Sequence, residues 1–155
     1  MTCFCCIDSG PEIKPLTVEY ITQDFLDTLT ALRATDLTVE EARDLWNVEM
    51  TSLGRTPIYI YVAIQNGKVI GTATLVIERK FIRRGGLCGH IEDVAVHPDH
   101  QGQGVGKLLV ERLISLAKFR GCYKVILDCS KELIPFYGRF GFKESERHMR
   151  LDLSS

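Results

Sequence analysis

The chain has 155 residues, 45% of them hydrophobic and 25% charged, with a formal net charge of -1. That length suits one domain able to bury most of its unfolded surface, and the near-zero charge excludes bulk recruitment of nucleic acid or acidic membranes. No apolar run approaches the roughly 18 residues of a membrane span, and the N-terminus lacks the basic start and long apolar core of a secretory signal.

Residues 1–14 read as a flexible lead and 15–155 as the folded domain. Leu16 to Tyr20 alternates and predicts a first strand. Thr22 is placed to cap a helix carrying Phe25, Leu26, Leu29 and Leu32 at helical spacing. Thr38 and Glu41 form a capping box for a second helix running to about Met50, closed by Gly54 and Pro57. Ile58 to Ile64 and Val69 to Ile77 are strands joined through Asn66-Gly67, the strongest short hairpin signal. Gly71 marks a bulge or a close approach. A basic turn, Arg79 to Gly86, leads to a strand from Cys88 to Val96. A glycine-rich loop then opens a helix from about Gly104 to Phe119, ended by Gly121. Tyr123 to Cys129 is an apolar strand of the buried parallel type. Pro135 starts a short helix bearing Phe136, Tyr137 and Phe140. Glu144 to Leu153 predicts a last, polar strand. The order implies an α/β (α+β) domain with a single mixed β-sheet flanked by helices.

The six cysteines form two groups. Cys3, Cys5 and Cys6 cluster in the lead, which reads as a loose, reduced tail; terminal acylation is the other use of such thiols. Cys88, Cys122 and Cys129 lie in or beside apolar runs and read as small buried hydrophobes. A reducing compartment is expected, with cytosol as the default and an organelle matrix left open. His90, His97, His100 and His148 lack metal-ligand spacing, and no metal is expected.

The chemistry concentrates between Gly89 and Ile114. Strand residues Asp93-Val94-Ala95-Val96 run into Gln101-Gly102-Gln103-Gly104-Val105-Gly106 and then the helix. Glycines leave the first helical N–H groups uncovered, which makes an anion site suited to phosphates. The loop lacks the Lys-Ser/Thr ending of a nucleotide P-loop. Glu92, Asp93 and Asp128 are carboxylates at the ends of apolar strands, and Lys80 and Arg83, with Arg79 and Arg84, form a basic turn.

The pattern Gln101-x-x-Gly104-x-Gly106 after its strand resembles the acetyl-CoA signature of the GCN5-related N-acetyltransferases (GNAT). Gly89 to Val96, Gly121 to Cys129, Phe136 to Phe142 and Glu78 to Ile82 are similar to the glucosamine 6-phosphate N-acetyltransferase branch of that family. The resemblance is dense from about residue 58 to 143. It implies the GNAT fold and transfer of acetyl from acetyl-CoA to the 2-amino group of glucosamine 6-phosphate, within UDP-N-acetylglucosamine biosynthesis. By resemblance, Gln101, Gly102, Gln103, Gly104, Val105 and Gly106 hold the CoA pyrophosphate, and Val94, Ala95 and Val96 pair with the pantetheine arm. Lys80, Phe81, Ile82, Arg83, Glu92, Asp93, Val94 and Asp128 match substrate-binding positions. Tyr137 matches the residue that contacts CoA and serves its departing thiolate. The ammonium must lose its proton to a carboxylate or a water chain, with a route through Glu92 or Asp128 expected, and attack on the thioester is expected to be direct, without an acyl-enzyme. The resemblance also implies a homodimer whose partner completes the site.

Leu133 stands where relatives carry an Asn that contacts CoA. Asp152 stands near where relatives can carry a cationic residue that reaches the sugar phosphate, with Arg147 and Arg150 close by. Two other readings compete: an acetyltransferase for a lysine, polyamine or drug amine, and a non-catalytic acyl-CoA sensor. The basic turn argues against the first, and Tyr137 with Glu92 and Asp128 against the second.

Overall fold

The structure, a computed structural model, describes residues 10–51 and 57–153. The cysteines of the lead (Cys3, Cys5, Cys6) and Gly54 lie outside the described residues. Five strands form one sheet in the order β1 (Glu12–Pro15), β2 (Ile58–Gln65), β3 (Lys68–Arg79), β4 (Leu87–Val96) and β5 (Cys122–Ile126). The first four pair antiparallel, and β5 joins β4 in parallel. Helices α1 (Gln23–Leu29) and α2 (Val39–Thr51) precede β2, and α3 (Ile82–Gly85) is a single turn between β3 and β4. The long α4 (Val105–Phe119) crosses from β4 to β5, and α5 (Ile134–Gly138) follows β5. This is the mixed sheet that the sequence predicts. No helix among the described residues is long and apolar enough to cross a membrane.

Alternation along β2 and β3 feeds two cores. Tyr61, Ala63, Ala73 and Leu75 pack with Leu109, Val110 and Leu113 of α4. Val62 and Val69 join Leu16, Ile21, Phe25, Leu26 and Ala42 on the α1–α2 side. The central strands are therefore apolar on both faces, as expected for a sheet covered on both sides.

Local chemistry sets the element ends. Thr22 Oγ1 accepts the Phe25 N–H at 3.4 Å at the start of α1. The capping box of α2 is complete: Thr38 Oγ1 accepts the Glu41 N–H at 3.2 Å, and Glu41 Oε2 accepts the Thr38 N–H at 2.8 Å. Asn66 and Gly67 both adopt positive φ, as the tight hairpin requires. At Gly71 an added Cβ would lie 2.8 Å from Val105 Cγ1 and 3.0 Å from Leu109 Cδ1, so β3 and α4 meet there in close contact.

Three expectations are corrected. The first strand is Glu12–Pro15, which begins inside the segment expected to be a loose lead, and Val18–Tyr20 is a 3-10 turn. Pairing continues only to the Leu16 N–H, which donates to the Ile60 carbonyl at 2.8 Å before the chain turns to bury Ile21. β5 ends at Ile126 instead of Cys129, which lies beyond it and is exposed; Cys122 is half-buried, and of the three thiols expected to be buried only Cys88 is. Residues 144–153 pair with no strand among the described residues; their alternating pattern is present, but alternation makes a strand only where a ladder of hydrogen bonds forms beside it.

Candidate active site

The β4–β5 pairing runs only from Leu87↔Cys122 to His90↔Ile126. Beyond His90, β4 keeps its partner β3 on one edge and has no described strand on the other. Opposite the single residue Ala73, β4 carries two, Asp93 and Val94, and Asp93 has φ 49°. This is a β-bulge, which leaves a residue out of the ladder and bends the strand. The open edge from Ile91 to Val96 thus offers backbone donors and acceptors to an extended ligand.

That edge leads into the glycine loop. Gly102 and Gly104 have φ 75° and 84°, and a Cβ at either would meet nothing within 4 Å, so backbone conformation and not space selects glycine there. Gly104 caps the 15-residue α4 with no side-chain hydrogen bond, which leaves the first-turn N–H groups open to an anion. Gln101 Nε2 donates to the Val96 carbonyl at 3.1 Å, and Gln103 Nε2 to the Asp99 carbonyl at 3.1 Å. Both glutamines therefore brace the loop with their side chains.

Next to the open edge, a cleft of about 830 Å³ gathers Glu92, Asp128 and Tyr137 with His90 and residues of the C-terminal segment. Tyr137 is 7% exposed and packs edge-to-face on Phe136 and Phe142. Burial, with Cys129 a smaller influence, pushes its phenol above the ordinary value. Glu92 is also raised, first by partial desolvation and then by Asp93 and Asp128. Burial raises the thiols of Cys88, Cys122 and Cys129 as well. They remain protonated at neutral pH, the opposite of what a nucleophile requires.

The basic turn forms a second cluster. Glu78 Oε2 holds the Lys80 ammonium and lies 3.1 Å from His90 Nε2. Hydrogen bonding to Glu78 raises Lys80, so it stays charged. Arg83 and Arg84 adopt left-handed φ of 56° and 54°. Arg83 lies over the Tyr123 ring at 5.5 Å, and Arg79 Nη1 donates to the Gly85 carbonyl at 2.8 Å. Phe81 and Ile82 project into solvent. The expected site residues thus fall into three groups: the loop and edge, the Glu92–Asp128–Tyr137 cleft, and the turn from Lys80 to Arg83. His90 links the last two. Two contacts have no signal in residue spacing. One is the Glu78 bridge; the other joins His148 to Asp128 across 20 positions of chain, Nδ1 to Oδ2 at 3.0 Å.

The family model described as acetyltransferase (GNAT) family matches residues 20–142. The chain belongs to that family. A rice (Oryza sativa subsp. japonica) relative of this acetyltransferase, glucosamine 6-phosphate N-acetyltransferase 1, is 38% identical over 140 residues, covering 90% of this chain and 85% of its own. A Trypanosoma brucei brucei glucosamine 6-phosphate N-acetyltransferase is 51% identical over 87 residues, covering 56% of this chain and 59% of its own length. The crystal structure of glucosamine-6-phosphate N-acetyltransferase from Arabidopsis thaliana matches with a TM-score of 0.85 at 36% identity, covering 94% of this chain and all of that one. Acetyl-CoA is the co-substrate of GNAT acetyltransferases. The uncapped α4 terminus suits its pyrophosphate, and the open β4 edge suits its amide-bearing arm.

Proposed function

We propose that this acetyltransferase transfers acetyl from acetyl-CoA to the 2-amino group of glucosamine 6-phosphate, giving N-acetylglucosamine 6-phosphate and CoA for UDP-N-acetylglucosamine synthesis. The observation that carries the reading is the meeting of Glu92, Asp128 and Tyr137 in one cleft beside the open edge of β4. Names of relatives supply the sugar phosphate.

Acetyl-CoA supplies an activated acetyl thioester, held by the α4 terminus and by Val94, Ala95 and Val96. Backbone N–H groups near Val94 stabilise the charge that develops on the acetyl oxygen. The substrate nitrogen arrives as an ammonium and loses a proton toward Glu92 or Asp128. The free amine then attacks the thioester directly. Tyr137, kept neutral by burial, gives its proton to the departing thiolate. Lys80 and Arg83 take the phosphate, and Phe81 and Ile82 cover the sugar. Asp93 bonds the sugar hydroxyls.

Two finer features belong to the same reading. The enzyme is a homodimer: Met149, Leu151 and Leu153 stand 91%, 82% and 85% exposed in an alternating row on an unpaired segment. Free thiols at Cys88, Cys122 and Cys129 fit a reducing, cytoplasmic setting.

The test is thiol release from acetyl-CoA with glucosamine 6-phosphate against glucosamine. Rapid turnover of the phosphorylated sugar alone is expected. No turnover of it would refute the reading, and equal turnover of both would remove the role of Lys80 and Arg83.

A further inference from the structure

We propose that His148, held by Asp128, accepts the proton that the substrate ammonium must lose. The inference rests on the amino-sugar reading above and narrows its proton route: Asp128 holds the imidazole that takes the proton, and neither carboxylate takes it directly. His148 Nδ1 lies 3.0 Å from Asp128 Oδ2. Both side chains line the cleft that holds Glu92 and Tyr137.

A carboxylate beside one ring nitrogen fixes the tautomer of a neutral imidazole. The proton sits on Nδ1 and donates to Asp128, which leaves the lone pair on Nε2. An isolated carboxylate is a poor acceptor for an ammonium proton, because its ordinary pKa lies near 4. An imidazole with an ordinary value near 6.5 is far better matched to neutral pH. The step balances simply. An N–H bond of the ammonium breaks and an N–H bond forms at His148 Nε2, through one intervening water. The substrate nitrogen keeps the electron pair for attack, and the imidazolium charge is offset by Asp128. His148 is more than half exposed, so it returns the proton to solvent without further machinery.

The charges around this imidazole come from several elements. Asp128 follows β5, Glu92 and His90 stand on β4, Lys131 precedes α5, and Glu146 and Arg147 belong to its own segment. His148 eases the ionisation of Glu92.

The experiment has two arms on the full chain. In the first, His148→Gln is assayed with glucosamine 6-phosphate across pH. Turnover is expected to fall about 10²-fold at pH 7, with KM for acetyl-CoA unchanged. The deficit should shrink as pH rises and free amine becomes abundant. Added imidazole should restore turnover to His148→Ala in proportion to its concentration. In the second arm, which needs no turnover, NMR follows the His148 ring through its titration. Asp128→Asn should lower its pKa. A His148→Gln profile matching the wild type overturns the proton role while leaving the substrate reading intact. An imidazole titration indifferent to Asp128→Asn overturns the pairing itself.

Discussion

Tyr137 packs against Phe136 and Phe142 and keeps 7% of its surface exposed. Burial of the ring disfavours the phenolate, and a phenol that holds its proton through neutral pH is what a departing thiolate needs. Tyr137→Phe keeps the packing and removes only that proton. Its kcat should fall about 10²-fold while KM for acetyl-CoA stays within about twofold, because the lost interaction belongs to the transition state. Unchanged turnover would make Tyr137 a packing residue. At Glu92 the same desolvation acts against stability. Its folded pKa is raised above the unfolded value near 4.3. Folding is therefore favoured, through this group, below that unfolded value, and the contribution is lost as pH rises through the raised folded one. At neutral pH the ionised side chain is a liability. Glu92→Gln should raise Tm by about 1–2 °C at pH 7, a small gain because water still reaches and screens the group. The gain should vanish near pH 4, while acetyl transfer weakens. A lower Tm at pH 7 for the variant would show that Glu92 is stabilised by its surroundings instead.

Among the elements, the contact of β3 with α4 ties fold to function. A Cβ on Gly71 would press on Val105 and Leu109, both almost wholly buried. Neither side chain has room to yield, so α4 must shift, and Val105 is its first residue. Gly71→Ala should destabilise the fold by about 1–3 kcal/mol, read from the denaturant midpoint. It should also raise KM for acetyl-CoA more than KM for the sugar phosphate. Equal changes in both would mean that the helix terminus had not moved. Gly71 was legible in the sequence as a bulge or close approach because a glycine inside a strand has few other uses. The Asn66-Gly67 hairpin, the Thr38–Glu41 box and the Gly121 stop were legible for the same reason: each is local chemistry closed within four residues. The ends of β1 and β5 were not. They depend on where a neighbouring strand diverges, and the opening between β4 and β5 beyond His90 is a property of the sheet. The site divides along the same line. The glycine loop and Tyr137 carry motifs, whereas the Glu78 bridge and the His148–Asp128 pair arise only when distant segments meet.

For the molecule as a whole, the C-terminal segment is the part that its own fold leaves incomplete. Residues 144–153 carry no pairing within the described chain, yet Met149, Leu151 and Leu153 alternate with His148, Arg150 and Asp152. Arg150 and Asp152 satisfy each other, Nε to Oδ1 at 2.6 Å. That leaves three large apolar side chains facing water in a row, and a row of that kind invites a strand or face of another copy. A second copy presents the same row by symmetry, so a two-fold contact closes the assembly without leaving a further edge. The prediction is a dimer at micromolar concentration by sedimentation. The triple variant Met149→Ser, Leu151→Ser, Leu153→Ser should sediment as a monomer with an unchanged far-UV spectrum, since none of the three is buried in its own chain. If the partner's segment also completes the substrate site, the monomeric variant should lose turnover with glucosamine 6-phosphate while binding acetyl-CoA normally, because the glycine loop and the β4 edge come from one chain. A wild-type protein that sediments as a monomer would refute the assembly, and a monomeric variant with full turnover would confine the dimer contact to stability.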